Sequence, residues 1–166
     1  MSDKFDAILN DGIRQGAAPG AVAIVVDRNG VVWEGAAGER VIGSGIEITT
    51  DTVGSIFSMT KAITGAAAMQ LVEQGKFDLD APAGNICPWL NGVQVLAGFD
   101  DDGQPITRAP KSAVTLRNLL THTSGFVYEI WNANEARWRE LMGTPSLFTL
   151  ENASLRTPLA FDPGTR

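Results

Sequence analysis

The sequence predicts an α+β chain on three features. They are an amphipathic helical pattern at residues 3–15, a hairpin around an Asn-Gly turn at residues 21–35, and a long apolar helical run that begins at Ser58. Phe5, Ile8, Leu9 and Ile13 fall at helical spacing, and Ser2 is placed to cap the start. Ala17-Ala18-Pro19-Gly20 ends this helix. Ala21 to Val26 reads as a strand, Asp27-Arg28-Asn29-Gly30 as the turn, and Val31 to Gly35 as the returning strand. Because the first strand is apolar throughout, cover is expected on both its faces.

Residues 38–51 are a Gly- and Thr-rich loop, and Thr52 to Phe57 read as a short strand leading to Ser58. From Ser58 to Gln74 the pattern is a helix, apolar nearly all round through Met59, Ala62, Ile63, Met69, Leu71 and Val72. Such a helix is expected to be central and buried. Gly75 is its stop. Further on, residues 93–99 and 106–107 pair around Asp101-Asp102-Gly103. Thr115 caps a short helix through Leu116, Leu119 and Leu120. Asn132 to Met142 is another helix, Thr149 to Leu155 a short one, and Asp162-Pro163-Gly164 a turn.

Composition narrows the function. The chain has 166 residues, 44% hydrophobic and 19% charged, as expected of a globular fold. A net charge of −6 with 13 scattered Lys and Arg argues against nucleic acid as a partner. Cys87 and His122 are the single residues of their kinds, so an internal disulfide is impossible and a His/Cys zinc site is disfavoured. No metal or cofactor is expected. Asp100-Asp101-Asp102-Gly103 lacks the alternating ligands of a calcium loop and reads as a solvated turn. Cys87 reads as a small buried hydrophobe. There is no membrane span and no secretory pattern near Met1, so a cytoplasmic protein is expected.

Ser58-Met59-Thr60-Lys61 is the tetrapeptide that carries chemistry. A Ser hydroxyl needs a base before it attacks, and residues i and i+3 share a helical face, so Lys61 can reach Ser58. At a helix start, unpaired N–H groups favour developing negative charge, and the Ser58 amide can serve an oxyanion hole. To act as a base Lys61 must be neutral, which burial among Ile63 and the small Ala residues favours. Taken alone, the tetrapeptide reads more often as a capping Ser and a Lys reaching solvent.

Context adds to it. Gly54-Ser55-Ile56-Phe57-Ser58-Met59-Thr60-Lys61-Ala62-Ile63-Thr64 resembles the nucleophile region of the serine β-lactamase and penicillin-binding-protein superfamily. Leu71 to Pro82, Thr115 to Gly125 and Phe161-Asp162-Pro163-Gly164 agree in order and spacing. Together they are most similar to the class C β-lactamase-like branch and its family VIII carboxylesterases. The resemblance implies a β-lactamase-like α+β fold, with an antiparallel sheet flanked by helices and a mostly helical domain. Residues 1–57 would be the N-terminal part of the α/β domain. Residues 58–166 would hold the nucleophile helix and most of the helical domain.

The resemblance also implies catalytic Ser58 and Lys61, a Tyr in a Tyr-x-Asn or Tyr-x-Ser motif after the Pro-Gly turn, and a Lys/His/Trp-x-Gly strand. The last two motifs do not occur in residues 1–166. The chain is therefore expected to be one piece of a longer protein, inactive alone, with the C-terminal remainder as its partner. Phe126, Tyr128 and Trp131 are candidate walls of a substrate pocket, and Tyr128 is not the family's Tyr. His122 is read as structural, since no Gly-x-Ser-x-Gly elbow surrounds any Ser.

The expected activity is cleavage of small carboxylic esters with short acyl chains through an acyl-Ser58 intermediate. A β-lactamase or D-alanyl-D-alanine peptidase, a related acyltransferase or linear-amide hydrolase, and a non-catalytic scaffold that kept the fold are the alternatives.

Overall fold

The computed structural model describes residues 2–166. It divides into two compact units, Met1–Phe57 and Ser58–Arg166.

In the first unit a helix, α1 (Ser2–Arg14), precedes an antiparallel hairpin of β1 (Gly20–Asp27) and β2 (Gly30–Gly38). Ser2 lies inside α1 rather than capping it, and its hydroxyl donates to Asp3 Oδ1 at 3.0 Å. Trp33, opposite Val25, is the buried anchor of the packed face. Its ring meets Phe5 of α1 at 5.4 Å, and its indole N–H donates to Asp6 Oδ1 at 3.0 Å. The Asp27 carboxylate accepts from the Asn29 amide at 2.6 Å and tightens the turn, while Gly30 takes φ 128°.

Two expectations fail in this unit. Val22, Ile24 and Val26 are exposed, because α1 packs on the Trp33 face and no other element of the unit covers the opposite one. Thr52 to Phe57 form no strand, because the segment has no partner to take its backbone hydrogen bonds. Val53 is fully in solvent there, and Thr52 turns its hydroxyl onto the Thr49 amide at 2.9 Å.

The second unit begins at Ser58, inside a 3₁₀ turn, Phe57–Met59, that leads into a helix, α2 (Thr60–Glu73). Gly75 ends it at φ 66°, donating to Val72 O at 2.9 Å while Lys76 donates to Leu71 O at 2.9 Å. The burial predicted for α2 is not observed. No residue of α2 is buried, because no other helix or strand of this unit packs extensively on it. The apolar sequence therefore faces solvent at Met59, Ile63 and Met69.

The core of this unit lies further along. A second hairpin, β3 (Val95–Phe99) and β4 (Pro105–Arg108), closes around a turn in which Asp100 Oδ1 accepts from the Gln104 amide at 2.7 Å. Leu159 runs parallel to Val95, with Leu159 N–H to Gln94 O and Leu96 N–H to Leu159 O both at 2.8 Å. Leu159 is 0% exposed and packs with Val95, Leu90, Val93, Ala83 and Val114, with Cys87, Trp89 and Phe126 against them. Asp162, itself buried, accepts from Arg108 Nη1 and Nη2 at 2.8 Å each and from the Lys111 amide at 2.9 Å. These bonds hold its carboxyl down at about 2, with the Arg108 pair as the largest cause.

Two further helices complete the unit. The first, α3 (Leu116–Leu120), opens with the reciprocal Thr115–Asn118 capping box. The second, α4 (Ala133–Met142), has its Asn132 cap accepting from the Glu135 amide at 3.0 Å. Thr149 to Leu155 is not one helix but two 3₁₀ turns, Leu147–Thr149 and Asn152–Leu155. Leu150 breaks them apart in the left-handed region at φ 59°.

Two outcomes test this packing. Leu159→Ala should destabilise the protein by about 2–5 kcal/mol in denaturant titrations, the usual cost of an aliphatic core truncation. Asp162→Asn should lower Tm by several degrees at pH 7. Asp162 titrates at about 2 in the fold against 3.8 unperturbed, so its contribution is present above pH 3.8 and is lost as pH falls towards 2. The difference in Tm between the two proteins should therefore shrink across that window.

Candidate active site

Ser58 stands in the 3₁₀ turn that leads into α2, and Lys61 in the first turn of α2. Their i, i+3 spacing brings the side chains together, with Lys61 Nζ donating to Ser58 Oγ at 3.1 Å. No side chain caps the start of α2, so its first amides are left free of that competition. Ser58 and Lys61 are both exposed, and the burial expected around Lys61 is absent for the same reason as along the rest of α2. Phe57, directly before the Ser, takes a left-handed φ of 43° and is 85% exposed. For a non-Gly residue this conformation costs roughly 1–2 kcal/mol. The sequence carries no signal for it, because Phe is not a residue that prefers positive φ.

A separate cleft of about 230 Å³ lies after α3. Phe126 and Tyr128 line it, together with Leu119, His122, Ser124 and Leu147. Trp131 does not line it. It is 78% exposed and meets the Tyr128 ring edge-on at 5.2 Å. Phe126 reaches back to the core, 5.8 Å from Trp89. His122 sits just past the end of α3 at φ 59°, with its side chain on the cleft as well as at the turn. Leu147 belongs to a different segment and could not have been placed here from the sequence, since it follows no motif. Neither Ser58 nor Lys61 is among the lining residues.

Beside the cleft is a buried group of charges. Arg139 Nε lies 3.0 Å from Glu135 Oε1 and 3.5 Å from Glu129 Oε2. Burial pushes the Glu135 carboxyl up to about 7, against the pull of Arg139. Burial also raises Glu129, but hydrogen bonds from Ser146 and the Leu147 amide outweigh it and leave that carboxyl below its ordinary value. No group of three metal-ligating side chains occurs among the described residues, and no helix is long and apolar enough to cross a membrane.

The chain is similar in sequence and fold to known proteins. Lovastatin esterase of Penicillium rubens is 37% identical over 171 residues, a match covering 97% of this chain and 42% of the relative. Acyltransferase mokF of Monascus pilosus is 32% identical, covering 97% of this chain and 41% of the relative. Among solved structures, unliganded simvastatin synthase (LovD) from Aspergillus terreus superposes with a TM-score of 0.81 at 28% identity, over 99% of this chain and 44% of that one. EstCE1, a hydrolase with promiscuous acyltransferase activity, superposes at 0.71 with 22% identity, over 99% of this chain and 42% of that one, and shares the fold. The fold is therefore the β-lactamase-like α+β fold, and the chain spans about two fifths of the length of these relatives. The sequence model of the Beta-lactamase family matches residues 5–166, and the chain belongs to that family.

Proposed function

We propose that the protein carrying this chain is a serine esterase and acyl-transfer enzyme, with Ser58 as nucleophile and Lys61 as its base. The observation that carries this reading is the 3.1 Å contact between Lys61 Nζ and Ser58 Oγ at the start of a helix. In the productive state Lys61 is neutral and accepts the hydroxyl proton as Oγ attacks the ester carbonyl carbon. The tetrahedral oxyanion is stabilised by backbone N–H groups, an element typically worth ~3–4 kcal/mol. Collapse expels the alcohol, which takes up the proton, and leaves an acyl-Ser58 ester. Water then attacks to give the acid, or a second alcohol attacks to give a new ester.

Both fates of the acyl group have support. A relative is named as an esterase, and others are named as acyltransferases. Monacolin J acid methylbutanoyltransferase of Aspergillus terreus, 36% identical over 121 residues, carries a short branched acyl group in its name. The reading therefore assigns short acyl esters as substrates. Phe126 and Tyr128 in their cleft are the apolar walls proposed for the acyl chain, with Trp131 behind Tyr128. The family resemblance supplies the rest of the machinery outside residues 1–166: a Tyr to share the proton transfers, and a strand with the second oxyanion N–H. No metal or cofactor enters the reaction as proposed.

Three measurements test the reading. A fluorophosphonate should label the complete protein at Ser58 alone, and a label on any other residue in peptide mass analysis removes the assignment. Lys61→Arg should retain less than about a tenth of the kcat on p-nitrophenyl butyrate, a loss above ~1.4 kcal/mol, because a guanidinium stays protonated. Comparison of kcat/KM for that ester and a chromogenic cephalosporin should favour the ester, and the opposite order would select the β-lactamase alternative.

A further inference from the structure

The cleft after α3 has walls from two chain segments, with Tyr128 on one and Leu147 on the other. Glu129 directly follows Tyr128. Its Oε1 accepts from Ser146 Oγ at 2.6 Å and from the Leu147 backbone amide at 3.1 Å. Among the described residues, both hydrogen bonds that join these two segments end on this one oxygen. The other oxygen, Oε2, faces Arg139. Arg139 in turn donates from Nη1 to the carbonyl of Pro145 and so holds the near end of the Ser146–Leu147 segment.

We infer that Glu129 is a positioning residue for the cleft, fixing the distance between its Tyr128 and Leu147 walls and thereby selecting the length of acyl group it accepts. The inference rests on the proposed reading that this cleft takes the acyl chain.

The charges around Glu129 suit it to that task. Two carboxylates share one guanidinium in a buried place, and both cannot stay ionised cheaply. Glu135 meets Arg139, Glu129 and Thr157, and it is the carboxyl that burial pushes up, to about 7. Glu129 keeps its charge through the Ser146 and Leu147 donors. The Glu129 anion accepts from both donors, whereas an aliphatic side chain there would leave the Leu147 amide in a half-buried place without a partner. The restraint costs little entropy, because Glu129 is already pinned from its other side by Arg139.

The test uses the complete protein with Glu129→Ala and Glu129→Gln, each checked by its thermal melt. For p-nitrophenyl butyrate the Ala variant should raise KM about tenfold while kcat falls much less, since an interaction shared by ground and transition states is lost. For p-nitrophenyl acetate, too short to reach the far wall, the rise should be smaller. Glu129→Gln keeps an acceptor for Leu147 and should fall between the Ala variant and the unchanged protein. Where the Ala variant does not fold, the Gln variant decides. Equal losses on both esters, or none on either, overturn the inference.

Calorimetric binding of unreactive butanamide separates this from the functional reading. If Ser58 is never acylated but butanamide binds and Glu129→Ala weakens it about tenfold, the reaction fails and the positioning role stands. If butanamide binds the variant as well as the unchanged protein, or binds neither, the positioning role fails.

Discussion

A carboxylate withdrawn from water needs a fixed partner, and at Asp162 that partner is the two-pronged Arg108 guanidinium, reinforced by the Lys111 amide. The pair joins the end of β4 to the last turn of the chain. With that turn fixed, Leu159 lies along Val95 and completes the core of the second unit. Ala160 then donates to Gly125 O at 2.8 Å, and Gly164 to Thr123 O at 2.8 Å. Those bonds hold the segment from which Phe126 and Tyr128 project. The candidate acyl cleft is therefore set by a charge pair that lies outside it, through three consecutive attachments.

Local chemistry was legible in the sequence wherever a few neighbouring residues settle the outcome. The Thr115 cap, the Gly75 stop and both hairpin turns all depend on residues within five positions of one another. The Ser58–Lys61 contact belongs to the same class, since helical geometry alone brings i and i+3 together. The Asp162–Arg108 pair spans 54 residues and left no periodic trace. Leu147 lines the cleft from another segment, with its amide bonded to Glu129, 18 residues away. His122 was readable as the end of a short helix but not as a cleft residue, because its left-handed φ turns the chain there.

Three of the expectations that failed share a cause. Apolar sequence predicts burial at β1 and along α2, yet Ile24 and Ile63 both face solvent. Hydrophobicity records which surfaces are costly to expose, not which element covers them. Within its own unit the first hairpin is covered by one helix, and α2 has no extensive partner in its unit. The expected strand before Ser58 failed through the same lack of a partner, and a left-handed Phe57 takes its place at the entry to the Ser58 turn.

The parallel run of Leu159 beside Val95 has a consequence for synthesis on the ribosome. The β3–β4 hairpin can close as soon as it emerges, but Arg108 and the apolar edge of Val95 then wait for residues that are still to be made. Arg108 and Asp162 are 54 residues apart, and translation at ~5–20 residues per second leaves an interval on the order of 3–10 s. A hairpin forms in microseconds, so for nearly all of that interval an incomplete core is open to wrong contacts. The segment around Leu159 is thus a late-arriving closure, and ribosome pausing just upstream of it would lengthen the period in which a nascent chain needs a chaperone.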